Sequence, residues 1–369
     1  MEGQPEDQIF PKIWLGAGAE MKLSPKHLEL PYDHRRQARI TKTASMRYFI
    51  GIDGGGTRTT AWLADEDGRI LGQSMTGPSN PLKVGIQVAV RHLVAAARQA
   101  LRQTQRKPIA VEAVCAGVAG VDRSSLHRSL LAALRKQIPA KHYLLTIDAV
   151  IALQSAVGFS PGIIVISGTG SIAYGRNEQG CTLRCGGWGS TFGDEGSGYD
   201  LGRKAVMAAL QDLDGRGPHT QLNKSICKAL RLKSINQVVA KPLTASQIAA
   251  LFPVVLDAAN QGDQVAQRLC REAGQDLAEL AWALLKRLDS HRQPIPVACA
   301  GGVFKASPTV RQSFASHLRR KAGKPIRVSL LERPPVAGAL DLARAVAEGN
   351  HKAAPGIFHL ADSESPSSR

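Results

Sequence analysis

Two short loops of glycine and threonine carry the residue types that bind phosphate groups in proteins. Residues 53–57 (Asp-Gly-Gly-Gly-Thr) and residues 167–171 (Ser-Gly-Thr-Gly-Ser) each follow a predicted buried strand. Glycines let successive backbone N–H groups approach an anion, and Thr57 and Thr169 add hydroxyl donors. Either loop alone fits a tight turn equally well, but two of them at matching positions indicate a clamp on a polyphosphate. The expected donors are Gly55, Gly56, Thr57, Gly168, Thr169 and Gly170.

Two aspartates stand near the ends of predicted strands. Asp53 opens the first loop and supplies the oxygen ligands that a hydrated Mg²⁺ prefers. Asp148 lies between a predicted strand over 144–147 and a predicted helix over 149–156. Its local sequence is compatible with a helix N-cap. It is equally compatible with a general base at the carboxyl end of a strand, which would deprotonate a hydroxyl for in-line attack on phosphorus.

The segment from 186 to 202 combines glycines, aromatics and carboxylates. Seven of its seventeen residues are glycine, so it cannot form a stable helix or strand core. A flexible linker fits poorly, because the segment also holds Trp188 and Phe192. An aromatic ring for stacking, together with carboxylates such as Asp194 and Glu195 that accept from hydroxyls, is a combination that binds sugars.

Gly301 and Gly302 follow a predicted strand over 296–300. Paired glycines there would let the backbone approach a flat ligand such as adenine, although a plain strand-to-helix turn uses the same residues. The sequence contains neither the G-x-x-x-x-G-K-[ST] pattern of P-loop enzymes nor a G-x-G-x-x-G pattern. A nucleotide site in this chain is therefore of another kind.

The elements that must hold these residues form an α/β pattern built from a repeated unit. In both copies a buried strand leads into the glycine–threonine loop, a second strand and a glycine turn. The loop threonine and the turn glycine are eleven residues apart each time, from Thr57 to Gly68 and from Thr169 to Gly180. We therefore expect two related lobes with a site between them, lined by both loops. The predicted strands of the two units are 48–52, 59–64, 69–74, 162–167 and 172–175.

The pattern also predicts how the chain is divided. We expect a first lobe over residues 47–150 and a second over 151–349. Residues 1–46 contain several prolines without sustained periodicity, and residues 350–369 are rich in serine, so both segments are expected to be disordered. Met46 stands just before the first predicted strand and is an alternative start of translation.

Composition excludes several classes of protein. The 369 residues are 43% hydrophobic and 21% charged, which is ordinary for globular chains. Aliphatic runs such as 163–166 are far shorter than the ~20 residues of a membrane helix. The net charge of +17 favours an anionic ligand, but aromatics make up only 5%, so nucleic-acid binding is not expected. The six cysteines form no C-x-x-C pair and are expected to be free thiols in a reducing cytoplasm.

The sequence resembles the N-acetylglucosamine kinase family, which is part of the BadF/BadG-type ATPase group within the actin, hexokinase and Hsp70-like superfamily. The resemblance extends from Met46 to about Ala347. It is carried by the stretches GIDGGGTRT, DAVIAL, VISGTGSIAYG, GGWGSTFGDEGSGYDLGR and CAGGVFKA, of which the glycine-rich fourth is the most specific.

The resemblance implies an α/β fold of two actin-like (ribonuclease H-like) lobes with ATP and a sugar in the cleft between them. Thr57 and Thr169 would contact the ATP phosphates, Asp53 would organise Mg²⁺, and Asp148 would be the base acting on the sugar 6-hydroxyl. Asn80, Gly187, Trp188 and Asp194 match the family's sugar-binding positions, and Gly301 its adenosine pocket. The implied activity is ATP-dependent phosphorylation of N-acetylglucosamine by a cytoplasmic homodimer, with no nucleic-acid or membrane partner.

Several alternatives stay open at this point. Glucosamine and N-acetylmuramic acid are rival substrates. An ATPase that activates a partner enzyme is a rival of another class, but such activators hold an iron–sulfur cluster on cysteines, and no cysteine pair stands beside a phosphate loop here. A sugar-sensing protein without turnover is a third alternative, disfavoured by Asp148.

Overall fold

The computed structural model describes residues 46–104, 111–291, 293–323 and 325–350. Apart from the boundary residues Met46 and Asn350, the disorder predicted for 1–46 and 350–369 falls on residues outside these ranges.

Five strands from the first part of the chain form one sheet. They lie in the order β3-β2-β1-β4-β5. Strands β1, β2 and β3 are antiparallel neighbours, whereas β4 and β5 run parallel to β1. The bounds are β1 Tyr48–Gly54, β2 Thr59–Asp65, β3 Ile70–Thr76, β4 Val111–Val118 and β5 Ala140–Thr146.

A second five-stranded sheet repeats this arrangement. Its order is β10-β9-β6-β7-β8, with β6, β7 and β8 antiparallel and with β9 and β10 parallel to β6. Counted from the edge with the antiparallel hairpins, the strand orders are β3-β2-β1-β4-β5 in the first sheet and β8-β7-β6-β9-β10 in the second. The strands follow one another in the same way in both sheets, so the predicted repeat is confirmed. The bounds are β6 Gly162–Ser167, β7 Ser171–Arg176, β8 Thr182–Gly186, β9 Ile295–Ala300 and β10 Ile326–Leu330.

Helices connect and cover the two sheets. Apolar residues at steps of three or four over 264–288 predict a long helix, and the structure has it as α9, Gln264–Arg287. The bounds are α1 Pro81–Val84, α2 Ile86–Arg102, α3 Ser124–Gln137, α4 Asp148–Val157, α5 Gly198–Leu213, α6 Leu222–Leu230, a 3₁₀ helix Ile235–Ala240, α7 Ala245–Ala249, α8 Phe252–Asn260, α9 Gln264–Arg287, α10 Gly302–Ala306, α11 Pro308–Ala322 and α12 Pro335–Ala347. No helix within the described ranges is long and apolar enough to cross a bilayer.

Helix α4 packs between the two sheets. Its residues Ala149, Ala152 and Leu153 join a buried cluster with strands of the second sheet. Ile151, on another side of the same helix, is buried in a cluster with the first sheet and α12. The residue that begins α4, Asp148, is therefore held by packing from both sheets.

The last helix, α12, returns to the first sheet. Gly51 in β1 allows this contact, because a Cβ atom at Gly51 would lie 2.7 Å from the backbone oxygen of Val336. We predicted α12 as part of a second lobe spanning 151–349, so the packing of this helix crosses the predicted division. Below, the first lobe means β1–β5 with α1–α3 and α12, and the second lobe means β6–β10 with α5–α11.

Candidate active site

Asp53 and Asp148 are brought together by the register of the first sheet. Strand β1 runs to Gly54, two residues further than predicted, so Asp53 lies within the strand near its carboxyl end. Asp53 is aligned with Gly117 of β4, which is aligned with Thr146 of β5. Asp148 follows β5 two residues later. Both carboxylates therefore lie at the same edge of the sheet, where sites in α/β proteins form.

The electrostatic environment of both carboxylates raises their pKa values. Burial, followed by the charge of Asp148, raises the pKa of Asp53 to about 7, against a smaller opposing effect of Arg58. Burial raises the pKa of Asp148 to about 6, although a hydrogen bond from the backbone of Ala149 opposes the rise. Carboxylates with raised pKa values are suited to accept a proton near neutral pH.

Asp148 does not serve as the N-cap of α4, which was one of the two alternatives left by the sequence. Ile147 occupies the cap position without a side-chain hydrogen bond. Asp148 is the first helical residue, and its Oδ1 accepts from the backbone N of Ala149 at 3.0 Å. Within the described part of the chain no other side chain hydrogen-bonds this carboxylate, which can therefore accept from a ligand.

The first glycine–threonine loop is bonded to the segment that carries Asn80. The backbone N of Gly55 donates to the oxygen of Arg58 at 2.9 Å, which closes the turn. The oxygen of Gly55 accepts from the backbone N of Ser79 at 3.0 Å and from that of Asn80 at 3.2 Å. The Asn80 side chain caps α1 through Oδ1, which accepts from Leu82 N at 3.0 Å. Its amide nitrogen and the second lone pair of Oδ1 are left for a ligand.

The second loop is bonded to the glycine-rich segment. Gly168 O accepts from Gly198 N at 2.8 Å, and Thr169 O accepts from Tyr199 N at 3.2 Å. The carboxylate of Asp194 accepts from Ser171 N at 3.1 Å. The predicted sugar-binding and phosphate-binding loops of this half are therefore one hydrogen-bonded unit.

Gly301 packs directly on the second loop. Its φ is +96°, and a Cβ atom there would lie 2.0 Å from the backbone oxygen of Ser167, so only glycine fits. Gly302 begins α10, is exposed, and has open space at its Cβ position. The pair that we predicted as an adenosine pocket is thus next to the second glycine–threonine loop, where Gly301 is tightly packed and Gly302 is accessible.

Trp188 stands at the surface of the site, beside a contact that joins the two lobes. Its side chain is 66% exposed, and the guanidinium of Arg184 lies 4.5 Å from the ring centroid. Arg184, in β8, also forms an ion pair of 2.7 Å with Asp122, which follows β4 in the first lobe. Gly187, which precedes Trp188, has a φ of +73°, and a Cβ atom there would lie 2.9 Å from the side chain of Ile172. The exposed indole can therefore stack on a ligand while arginine holds it.

Groups that could hold a nucleotide and a cation remain available. Neither Thr57 nor Thr169 has a hydrogen-bond partner for its hydroxyl among the residues that the structure describes. Within those ranges no three His, Cys, Asp or Glu side chains form a metal cluster. A Mg²⁺ ion usually needs only one or two carboxylates, with phosphate oxygens and waters completing its shell. The carboxylate of Asp53, buried within reach of the charge of Asp148, fits such an ion.

Four functional candidates emerged only from the structure: Lys83, Gly117, Asp122 and Arg184. Gly117 is an example. A Cβ atom there would lie 2.5 Å from the Ile151 side chain, so glycine allows α4 to approach the sheet edge and place Asp148. No local pattern marks such a residue, because its partner is more than thirty positions away in the sequence.

Several solved structures share the fold of this chain. One, from Chromobacterium violaceum and provisionally assigned as an N-acetylglucosamine kinase, is 31% identical with a TM-score of 0.67, covering 80% of this chain and 98% of that one. A ROK family glucokinase from Streptomyces griseus, in complex with glucose and AMPPNP, is 20% identical with a TM-score of 0.52, covering 80% and 99%. The fold is that of the actin-like ATPases and hexokinases.

The chain belongs to the BadF/BadG/BcrA/BcrD ATPase family, whose model matches residues 50–340. It is 35% identical over 307 residues to an N-acetylmuramic acid/N-acetylglucosamine kinase from Clostridium acetobutylicum, covering 81% of this chain and 99% of that one. An N-acetyl-D-glucosamine kinase from Dictyostelium discoideum is 30% identical over 275 residues, covering 70% and 86%.

Proposed function

We propose that this protein is an ATP-dependent amino-sugar kinase, and that N-acetylglucosamine is its substrate. The observation that carries the proposal is the hydrogen bond between Asp194 and Ser171, because it joins the loop proposed to bind the sugar to a loop proposed to bind phosphate. The amino-sugar kinases among its relatives support the same assignment. The product would be phosphorylated on the 6-hydroxyl, as the resemblance to N-acetylglucosamine kinases implies.

Asp148 is the proposed general base. It would accept the proton of the sugar hydroxyl as that oxygen attacks the γ-phosphate, and its raised pKa of about 6 suits this transfer while leaving the carboxylate mostly ionised at neutral pH. Packing of α4 against both sheets holds this carboxylate in place. Asn80, Gly187, Trp188 and Asp194 would bind the sugar.

The two glycine–threonine loops would bind the polyphosphate. Backbone N–H groups of Gly55, Gly56, Gly168 and Gly170 and the hydroxyls of Thr57 and Thr169 would donate to its oxygens. Gly301 and Gly302 would lie against the adenosine. Asp53 would hold Mg²⁺, which neutralises phosphate charge when bound. Burial of the site between the lobes would exclude water, so that the sugar hydroxyl attacks in its place.

The setting proposed for this activity is the cytoplasm, with the enzyme as a homodimer. All six cysteines are free thiols in the structure, which agrees with a reducing compartment. Gel filtration with light scattering measures the oligomeric state directly.

The first experiment is coupled ADP release with Mg-ATP and a panel of acceptors. N-acetylglucosamine, glucosamine, N-acetylmuramic acid and glucose are each compared with a blank without sugar. We expect turnover with an amino sugar only, and highest with N-acetylglucosamine. Equal ADP release in every well, including the blank, would contradict a kinase and favour a partner-activating ATPase.

Replacing the proposed base separates chemistry from nucleotide binding. Asp148→Asn is expected to lower kcat by at least about a hundredfold, because general-base catalysis contributes roughly 10²–10⁴. The affinity for ATP, measured by isothermal titration, should stay within about twofold of wild type, since the side chain keeps its volume and its oxygen acceptor. Wild-type turnover in Asp148→Asn would show that another group accepts the proton.

A further inference from the structure

Lys83 lies over the first phosphate loop. A Cβ atom built on Gly56 would lie 3.0 Å from Lys83 Nζ and 3.4 and 3.5 Å from its Cδ and Cε. The end of the lysine side chain therefore runs along the face of the loop at a glycine. A larger residue at position 56 would push the ammonium away.

The backbone of α1 holds Lys83 in register with this loop. Asn80 caps the helix and donates its backbone N to Gly55 O at 3.2 Å. Lys83 N donates to Asn80 O at 3.0 Å. Lys83 is only three residues after Asn80, which is hydrogen-bonded directly to the loop. The position of the Lys83 Cα atom is therefore fixed relative to the loop, and the ammonium group can extend over the loop.

The Lys83 ammonium is without a protein partner in the described part of the chain. No carboxylate there lies within ion-pair distance, and no acceptor there takes a hydrogen bond from Nζ. An unpaired ammonium beside backbone N–H donors is a site for an anion.

The same ammonium faces the second lobe. Burial raises the pKa of Asp194, and the charge of Lys83 is among those that oppose the rise. A Cβ atom on Gly170 would lie 2.7 Å from the Asp194 carboxylate, which places that carboxylate on the second phosphate loop. Lys83 is thus within electrostatic range of both loops that would clamp the polyphosphate.

We propose that Lys83 binds the γ-phosphate of ATP, contributing a positive charge between the two loops at the group that is transferred. This inference rests on the proposed function, since it takes ATP as the ligand of those loops. Negative charge on the transferring phosphoryl oxygens is the feature that a positioned ammonium stabilises. The bond that breaks is the one between the γ-phosphorus and the β–γ bridging oxygen, and ADP leaves with that electron pair.

Nucleotide binding without sugar tests the assignment. The full-length chain is titrated with Mg-AMPPNP, which carries a γ-phosphate, and with Mg-ADP, which does not. Lys83→Met is expected to weaken AMPPNP binding by about tenfold or more, because a charge-assisted contact is lost. ADP binding should change less than twofold. Lys83→Arg should restore most of the difference.

The control is Lys228→Met on α6, an exposed lysine that also has no ion pair in the described ranges. It should leave both affinities at wild-type values. Thermal unfolding of Lys83→Met should match wild type, since the side chain is exposed. In the kinase assay, Lys83→Met should lower kcat with every sugar while the KM for sugar stays unchanged.

Three outcomes would overturn the assignment. Equal weakening of AMPPNP and ADP would place Lys83 on the α- or β-phosphate, and loss of activity only with N-acetylmuramic acid would place it on a sugar carboxylate. In both cases the proposed kinase function would survive. A wild-type chain that binds neither nucleotide would overturn that function together with the ligand assigned to Lys83.

Discussion

The reactivity of Asp148 has a cost in folding stability. Its pKa in the folded protein is about 6, above the ordinary value of 3.8. A carboxyl group with a raised folded-state pKa binds its proton more tightly in the native state. The stability that the protonated Asp148 carboxyl group contributes is therefore complete below about pH 4 and is lost as the pH rises through about 6. At neutral pH the ionised, buried carboxylate opposes folding.

Asp148→Asn should consequently be more stable than wild type, although we expect its kcat to be far lower. We expect the free energy of unfolding to rise by about 3 kcal/mol at pH 8 and by about half as much at pH 5, from the linkage between pKa and stability. Denaturant unfolding at the two pH values measures both differences. A gain that is equal at pH 5 and pH 8 would show that the ionisation of Asp148 is not its source.

The pH dependence of activity has the opposite sign. The base must be ionised to accept a proton, so kcat/KM for the sugar should fall as the pH drops below about 6, by about tenfold per pH unit at the low end. A pH–rate profile between 4.5 and 8.5 measures this. A profile that stays flat below pH 6 would contradict the role of Asp148.

At the level of elements, the close approach of α4 and α12 fixes where the site can form. Gly338 in α12 makes this approach possible, since a Cβ atom there would lie 2.1 Å from Ile151 O and 2.6 Å from Ser155 N. These neighbours are backbone atoms, which cannot rotate away. The pair of helices is therefore rigid at this contact.

Gly338→Ala should destabilise the protein by at least about 2 kcal/mol. Alanine is favoured over glycine in helices by about 1 kcal/mol, but overpacking against backbone costs more than that. Gly302→Ala is the matched control, because it is also at a helical position and has open space around its Cβ. The expected result in chemical denaturation is a large loss for Gly338→Ala and none for Gly302→Ala. Similar stabilities for the two variants would show that the helices can separate without cost.

For the whole molecule, the Arg184–Asp122 ion pair links the two lobes beside the loop proposed to bind the sugar. The exposed fractions of the two side chains are 18% and 33%, so solvent screens the pair only in part. Arg184 also supports Trp188, one of the predicted sugar ligands. Its loss should therefore affect sugar binding more than folding.

Arg184→Gln should raise the KM for sugar about three- to tenfold, and Asp122→Asn should raise it less, because arginine then still supports the indole. The double variant should be no worse than Arg184→Gln alone, since residues that act through one contact are not additive. Steady-state kinetics of the three variants measures this. Fully additive effects would show that the two residues act independently.

Local sequence patterns were enough to locate most of the elements and the candidate loops. Strand β6 lies where it was predicted, and α4 and α9 begin and end within one residue of their predicted bounds. Buried strands of branched residues and helices with apolar stripes are set by neighbours in the sequence, so they can be read from it. The glycine–threonine loops were found for the same reason, because their φ angles and N–H groups depend on local residue types.

Contacts between distant segments could not be read in that way. The return of α12 to the first sheet, the position of Lys83 over Gly56 and the pairing of Arg184 with Asp122 join residues that lie 27 to almost 300 positions apart. Such contacts depend on how two sheets and their helices pack in three dimensions, and no local propensity encodes them. The composition and spacing of residues thus define the fold class and the chemistry available to this chain, while tertiary packing alone decides which of those groups meet, how deeply they are buried and therefore what their charges can do.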